Sequence, residues 1–417
     1  MPGFADRRAG FTALVTASLL VTVAANLSPT LVSALAVQIS DDLDIGETQI
    51  GMTVSAFFFV GALTSAWSGR TVERIGPAAG LRLSTGAACA GLLAIAALAR
   101  SWPTLLLLVG AAGLANAWGQ PAANLYVARG ISIWRQGLAL GIQKSGIPAA
   151  SLLSGLAIPT VGLTIGWRWA FVIGALIAMA VSLGVPAVDG AGDTPAKPAK
   201  SAKPDKFAEP AKSAKSDKPA KPRVSEDPRP DVAVRLLVTV TCSTGLAAMG
   251  SVSLSSFFVL SSVNIGVDEA AAGVLLMAGS LVGIASRLAM GAGADRAGLN
   301  PFHMLTTMFG VAALAFVGLA TGSATVLYLS LPFAFATSFA WPGLFHLAML
   351  RSNPSAPGAA TGITMTGNFT GAVIGPLLFG WLVETSSYGW GWGFAALTSA
   401  VASLVMALSG RLISRRA

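Results

Sequence analysis

The chain has 417 residues, of which 54% are hydrophobic and only 11% charged, with a mean hydropathy of +0.70 and a formal net charge of +9. A soluble domain carries about 25% charged residues, so water is excluded as its main solvent. The basic excess does not describe a nucleic-acid surface, because eight of the nine lysines fall within residues 197–221, one low-complexity stretch.

Apolar segments follow in chain order at 11–39, 49–67, 79–99, 104–128, 137–163, 168–187, 233–263, 270–291, 302–321, 325–349, 358–383 and 391–410. A bilayer-spanning helix needs roughly 20 apolar residues, so each segment is long enough to cross. The runs are continuous rather than alternating at period two, which excludes an outer-membrane barrel. The fold class expected is all-α: a polytopic membrane protein of about twelve transmembrane helices. Arg7 and Arg8 precede the first run, but that run is too long for a signal peptide and reads as a retained span. Cys89 and Cys242 lie far apart inside apolar runs and read as small core residues, with no disulfide or metal logic.

Residues 188–232, rich in Ala, Lys, Pro and Asp, cannot bury enough apolar surface to fold. They are expected to form a disordered tether between an N-terminal bundle (1–187) and a C-terminal bundle (233–417). The loops on the side of the N-terminus carry Arg70, Arg74, Arg82, Arg129, Arg135, Arg296, Arg351, Arg411, Arg415 and Arg416. The opposite loops carry only Arg100 and Arg168, together with Asp41, Asp42, Asp44, Asp268 and Glu384. This is positive-inside asymmetry, and it predicts an inner-membrane protein with both termini cytoplasmic.

The chain also repeats itself. Gly69-Arg-Thr-Val-Glu73-Arg74-Ile-Gly76 after the second span matches Gly291-Ala-Gly-Ala-Asp295-Arg296-Ala-Gly298 after the eighth, at an offset of 222 residues. Gly51 and Gly61 recur at that offset as Gly273 and Gly283. Gly141-Ile-Gln-Lys-Ser-Gly146 recurs as Gly362-Ile-Thr-Met-Thr-Gly367, and Trp169-Ala-Phe171 as Trp392-Gly-Phe394. Four matches at nearly one offset define tandem six-helix halves. With these motifs the chain resembles a major facilitator superfamily porter over its whole length apart from the tether. The G-x-x-x-[DE]-R-x-G loops are that superfamily's signature. The resemblance implies alternating access about a central site, with Gly69, Glu73, Arg74, Gly76, Gly291, Asp295, Arg296 and Gly298 as a conformational gate. The fifth span departs from the drug/proton antiporter pattern, having Ala150-Ser151 and Ser154-Gly155 where glycines and a proline are usual.

All eighteen acidic residues fall at predicted loops or helix ends, whereas two cations fall within spans. Lys144 lies about eight residues into the fifth span, roughly 12 Å deep. A charge there is costly and points to function, or else to a lysine that snorkels or bonds helix carbonyls. Arg287 lies at similar depth in the eighth span. It resembles the substrate-binding arginine of anion porters in the superfamily, such as oxalate, monocarboxylate and nitrate porters; the alternative is a structural arginine held by neighbouring carbonyls. Guanidinium offers a planar fork matched to carboxylate or nitrate. Uncharged candidates around them are Asn26, Asn116, Gln120, Asn124, Gln143 and Asn368, while His346 reads as a proton site or, preferably, a packing residue.

The expected function is therefore transport of a small anion (carboxylate, cyanate or nitrate-like) by secondary active transport. The rivals are an exporter of hydrophobic compounds and a sensor that moves nothing. No phosphate loop, metal cluster or nucleophile constellation appears, so no enzyme and no cofactor is implied. The expected partners are the lipid bilayer and a small-molecule substrate, with no nucleic acid, and the chain is expected to act as a monomer.

Overall fold

In lipid the backbone must satisfy its own hydrogen bonds, and runs this long do so as helices. The computed structural model describes residues 4–130, 133–185, 230–296, 300–352 and 357–414, and these are helical with short turns. Twelve stretches are long and apolar enough to cross a membrane, the number predicted.

The first half comprises α1 (Phe4–Ala34), a short α2 (Ala36–Leu43), α3 (Glu47–Ile75), α4 (Pro77–Leu98) and α5 (Trp102–Gly130). Its fifth span is divided into α6 (Ile133–Lys144), α7 (Gly146–Ala157), a π turn at Ile158–Gly162 and α8 (Leu163–Ile165), before α9 (Trp167–Gly184) ends the half. The second half comprises α10 (Pro230–Asn264), α11 (Glu269–Arg296), α12 (Pro301–Ala320), α13 (Ala324–Ser352), α14 (Pro357–Thr385) and α15 (Tyr388–Ser414). Most of the expected tether lies outside the described residues; the helix of α10 opens at Pro230.

Two spans are less simple than their apolar runs. The first run is divided at Leu35, and α2, carrying Gln38, Asp41 and Asp42, ends at Asp44 in the left-handed conformation. The fifth contains Pro148 and Pro159, which have no N–H for the carbonyls four residues back. The helix accordingly breaks at Ser145 and widens to a π turn at Ile158–Gly162. Gly76, with φ +87°, takes a conformation that a side chain resists, and Pro77 follows as the first residue of α4.

Small residues set the helix spacing. A Cβ on Gly371 would collide with the Gly245 carbonyl, and one on Gly367 with the Thr241 carbonyl, so α10 and α14 meet backbone to backbone. Trp392 is fully buried and stacks on Phe316, with ring centroids 5.9 Å apart, while its Nε1 donates to Ser261 Oγ at 2.7 Å. Hydroxyls inside the spans bond back to carbonyls of the preceding turn, as Ser18, Thr22 and Ser33 do.

The halves meet chiefly through α3 on α14 and α7 on α11. Ser55 Oγ donates to the Val373 carbonyl at 2.6 Å. A Cβ on Gly155 would lie 2.7 Å from the Gly273 carbonyl oxygen, and the converse distance is the same. These contacts lie toward the end that holds the turns at Gly46 and Gly266, which is closed. Toward the other end Asn124 of α5 and Ile363, Thr366 and Thr370 of α14 are exposed.

Candidate functional site

The break in the fifth span places Gln143 and Lys144 at the end of α6, where the two halves face each other. Gln143 is fully buried and donates Nε2 to Thr22 Oγ1 at 3.3 Å, leaving its Oε1 without a partner. Gly146 permits this approach, since a Cβ there would lie 2.7 Å from Thr22 Cβ. Asn26, also buried, donates to the Thr22 carbonyl at 2.7 Å and accepts from Asn116 Nδ2 at 3.2 Å. A continuous polar seam thus joins α5, α1 and α6.

Lys144 is half-buried, and its ammonium donates to Gln120 Oε1. Arg287 of α11 is only 4% exposed. Its Nε donates to the Phe339 carbonyl at 2.7 Å, and its Nη1 donates to the main-chain carbonyl of Lys144, in the opposite half. The two cations picked from the sequence are therefore neighbours across the junction of the halves. Among the described residues neither has an ion-pair partner; the ion pair that is described, Arg168–Asp42 at 2.8 Å, lies at the closed end within the first half. Arg287 thus bonds two main-chain carbonyls, one from each half. Two basic side chains meet at the junction with no carboxylate partner among the described residues.

The remaining candidates divide. Gln120, Gln143 and Asn26 belong to the group just described. Asn124, one turn beyond Gln120, is exposed, and Asn368 is half-buried in α14 with no hydrogen bond to that group among the described residues. His346 donates from Nδ1 to the Pro342 carbonyl at 2.6 Å, with its ring edge-on to Phe345. Of the expected gate, Gly69, Glu73, Arg74 and Gly76 end α3, and both charged side chains are exposed. Gly291, Asp295 and Arg296 end α11, while Gly298 lies outside the described residues.

Sequence reasoning missed the closed end. Glu47 opens α3 and accepts from Tyr388 Oη of the other half at 3.1 Å; Glu269 opens α11 and accepts from Gln38 of the other half at 2.7 Å. Glu384 accepts from the Thr48 amide at 3.0 Å. The available signal was the repeat itself, because Glu47 and Glu269 stand at the offset of 222 residues.

Twelve spans in two repeated halves, closed against each other at one end and meeting at two basic side chains midway, define a polytopic membrane transporter. Residues 14–369 match the family described as Major Facilitator Superfamily, and the chain belongs to that superfamily. It is 32% identical over 181 residues to an MFS-type efflux pump of Mycolicibacterium smegmatis, a match covering 40% of this chain and 39% of that pump's length. In fold it is similar to a bacterial homologue of the human lysosomal transporter Spinster in an inward-facing and occupied conformation. That likeness has a TM-score of 0.68 at 15% identity, covering 97% of this chain and 98% of that one. The same homologue in its inward-facing, unoccupied conformation gives 0.62 at 15% identity, with 98% of each chain covered.

Proposed function

We infer that the chain carries a small anion across the inner membrane by alternating access, and that the conformation described here opens toward the cytoplasm. The observation that carries this reading is the meeting of Lys144 and Arg287 across the two halves with no carboxylate partner among the described residues. Ionisable side chains inside a bilayer are costly and mark substrate or ion pathways. Carboxylate, nitrate and cyanate present compact negative oxygen or nitrogen to a guanidinium fork and an ammonium. Their binding would cancel charge at the junction and let the halves close over it. The arginine-rich loops support an open end that faces inside. The test is uptake of formate, oxalate, nitrate and cyanate into proteoliposomes by the wild type, Lys144→Gln and Arg287→Gln. At least one anion should be transported, and each substitution should lower its uptake tenfold or more, in order of magnitude the loss of one charged hydrogen bond. Unchanged uptake in both variants would refute the reading.

A second reading is favoured by the partial likeness to an efflux pump. There the cations hold the helix break together and an apolar cavity selects hydrophobic compounds. A strain lacking the gene would become sensitive to such compounds while its anion uptake stayed normal.

A further inference from the structure

The bond between Arg287 and the Lys144 carbonyl has a cause in the sequence. In an uninterrupted helix that carbonyl would accept from the amide of residue 148. Residue 148 is Pro148, which has no N–H. The helix compensates on either side: Ser145 N bonds back to the Gly141 and Ile142 carbonyls at 3.2 and 3.0 Å, and Ala149 N reaches the Ser145 carbonyl at 3.0 Å. The Lys144 carbonyl is left for another donor, and a buried carbonyl without one is costly. Arg287 fills that role from the other half. Its plane is fixed by Nε on the Phe339 carbonyl, and its Nη2 has no hydrogen-bond partner among the described residues.

The repeat isolates the device. Arg287 corresponds to Ser65, Lys144 to Met365 and Pro148 to Phe369. The twin positions lack the proline and the arginine together, so the orphaned carbonyl and its cross-half donor occur as a pair in one junction only.

The geometry points to Pro148 as a positioning residue. By withholding an N–H it keeps the Lys144 carbonyl free to hold Arg287 across the halves in the empty carrier, and an arriving anion takes that carbonyl's place on Nη1. This rests on the anion reading above. A neutral carbonyl is a weaker acceptor for guanidinium than an anionic oxygen, so the exchange runs toward bound anion. The parked bond is nevertheless a competitor that weakens apparent affinity, and it spares the empty carrier an unpaired buried arginine.

The test uses the full chain in lipid nanodiscs. Pro148→Ala returns the amide and satisfies the Lys144 carbonyl within its own helix. Pro332→Ala, which removes an in-span proline of α13 about two turns before Phe339, is the control. Spin labels at the exposed positions 124 and 366, one in each half, read the separation of the halves without any anion. Pro148→Ala and Arg287→Gln should each broaden the distances relative to wild type. Combining them should add nothing further, since both remove the same bond. With formate, oxalate and nitrate as probes, Pro148→Ala should bind the responding anion about tenfold more tightly, and Pro332→Ala should bind as wild type does. Wild-type distances in anion-free Pro148→Ala, or additive effects of the two substitutions, would overturn the positioning role. Coupled distances together with no response of the wild type to any of the three anions would uphold the cross-half bond and overturn the anion reading beneath it.

Discussion

Adding one methyl group at Gly155 should drive the carrier out of the conformation described here. A Cβ at that position would sit 2.7 Å from the Gly273 carbonyl oxygen and 3.0 Å from the Met277 amide nitrogen, all backbone atoms of the opposing half. Ordinary contact begins near 3.4 Å, so the helices must separate by about 0.7 Å, and neither side has a flexible group to give way. Overpacking of this kind costs about 1–3 kcal/mol. The cost falls only on the state in which α7 and α11 touch, so the balance between states shifts about 5- to 150-fold toward the one that opens this end. The assay is alkylation in a background with Cys89 and Cys242 replaced by serine. Single test positions are Ser40→Cys at the closed end and Thr366→Cys at the other. Gly155→Ala should speed labelling at 40 and slow it at 366. Gly141→Ala, where a Cβ meets nothing within 4 Å, should change neither. Equal rates in Gly155→Ala and wild type, with the protein still folded, would refute the claim that this contact closes the end.

Glu47→Gln and Glu269→Gln each weaken a cross-half hydrogen bond to a carboxylate, worth about 1.5–3 kcal/mol when charged; each should raise labelling at position 40, and the double variant should exceed both. Gln120→Leu removes the acceptor of the Lys144 ammonium, and the melting temperature in detergent should fall by several degrees, whereas Gln120→Glu should keep it near wild type. Trp392→Phe retains the stacked ring but orphans buried Ser261, so a loss of about 1 kcal/mol in unfolding free energy is expected. Gly76→Ala forces a side chain to φ +87° and should cost about 1–2 kcal/mol, read in the same melt.

The helix count could be read from the sequence because hydrocarbon imposes one rule on every span, and apolar length reports it directly. The halves could be read because duplication leaves glycines and Trp-x-Phe pairs at one offset. Lys144 and Arg287 stood out as charges where charge is expensive. Their relation did not, because Arg287 bonds a main-chain carbonyl, and an atom present in every residue leaves no letter to read. Pro148 announces a missing N–H, but which donor would meet the freed carbonyl depended on how α11 crosses α6. The closed end was hidden for a different reason. Glu47 and Glu269 look like ordinary acidic residues in the first turn of a helix, and only the packing of the halves supplies Tyr388 and Gln38 as their donors. Asn124 shares a face with Gln120 by helical spacing, yet one turn of rise carries it out of the buried group to an exposed position.

The unmatched charges of Lys144 and Arg287 also carry an electrical consequence. If both stay ionised, the empty junction holds two positive charges that are exposed first to one face of the membrane and then to the other. Each charge carried through the field is worth about 2.3 kcal/mol per 100 mV. A bound dianion cancels both, so its crossing would be indifferent to membrane potential and the whole voltage dependence would fall on the empty return. Dianion-for-dianion exchange should then proceed at one rate whatever potential is clamped, while net uptake bends with voltage. A monoanion leaves one charge uncancelled and would put voltage into both steps, so current recordings would read the valence of the cargo directly.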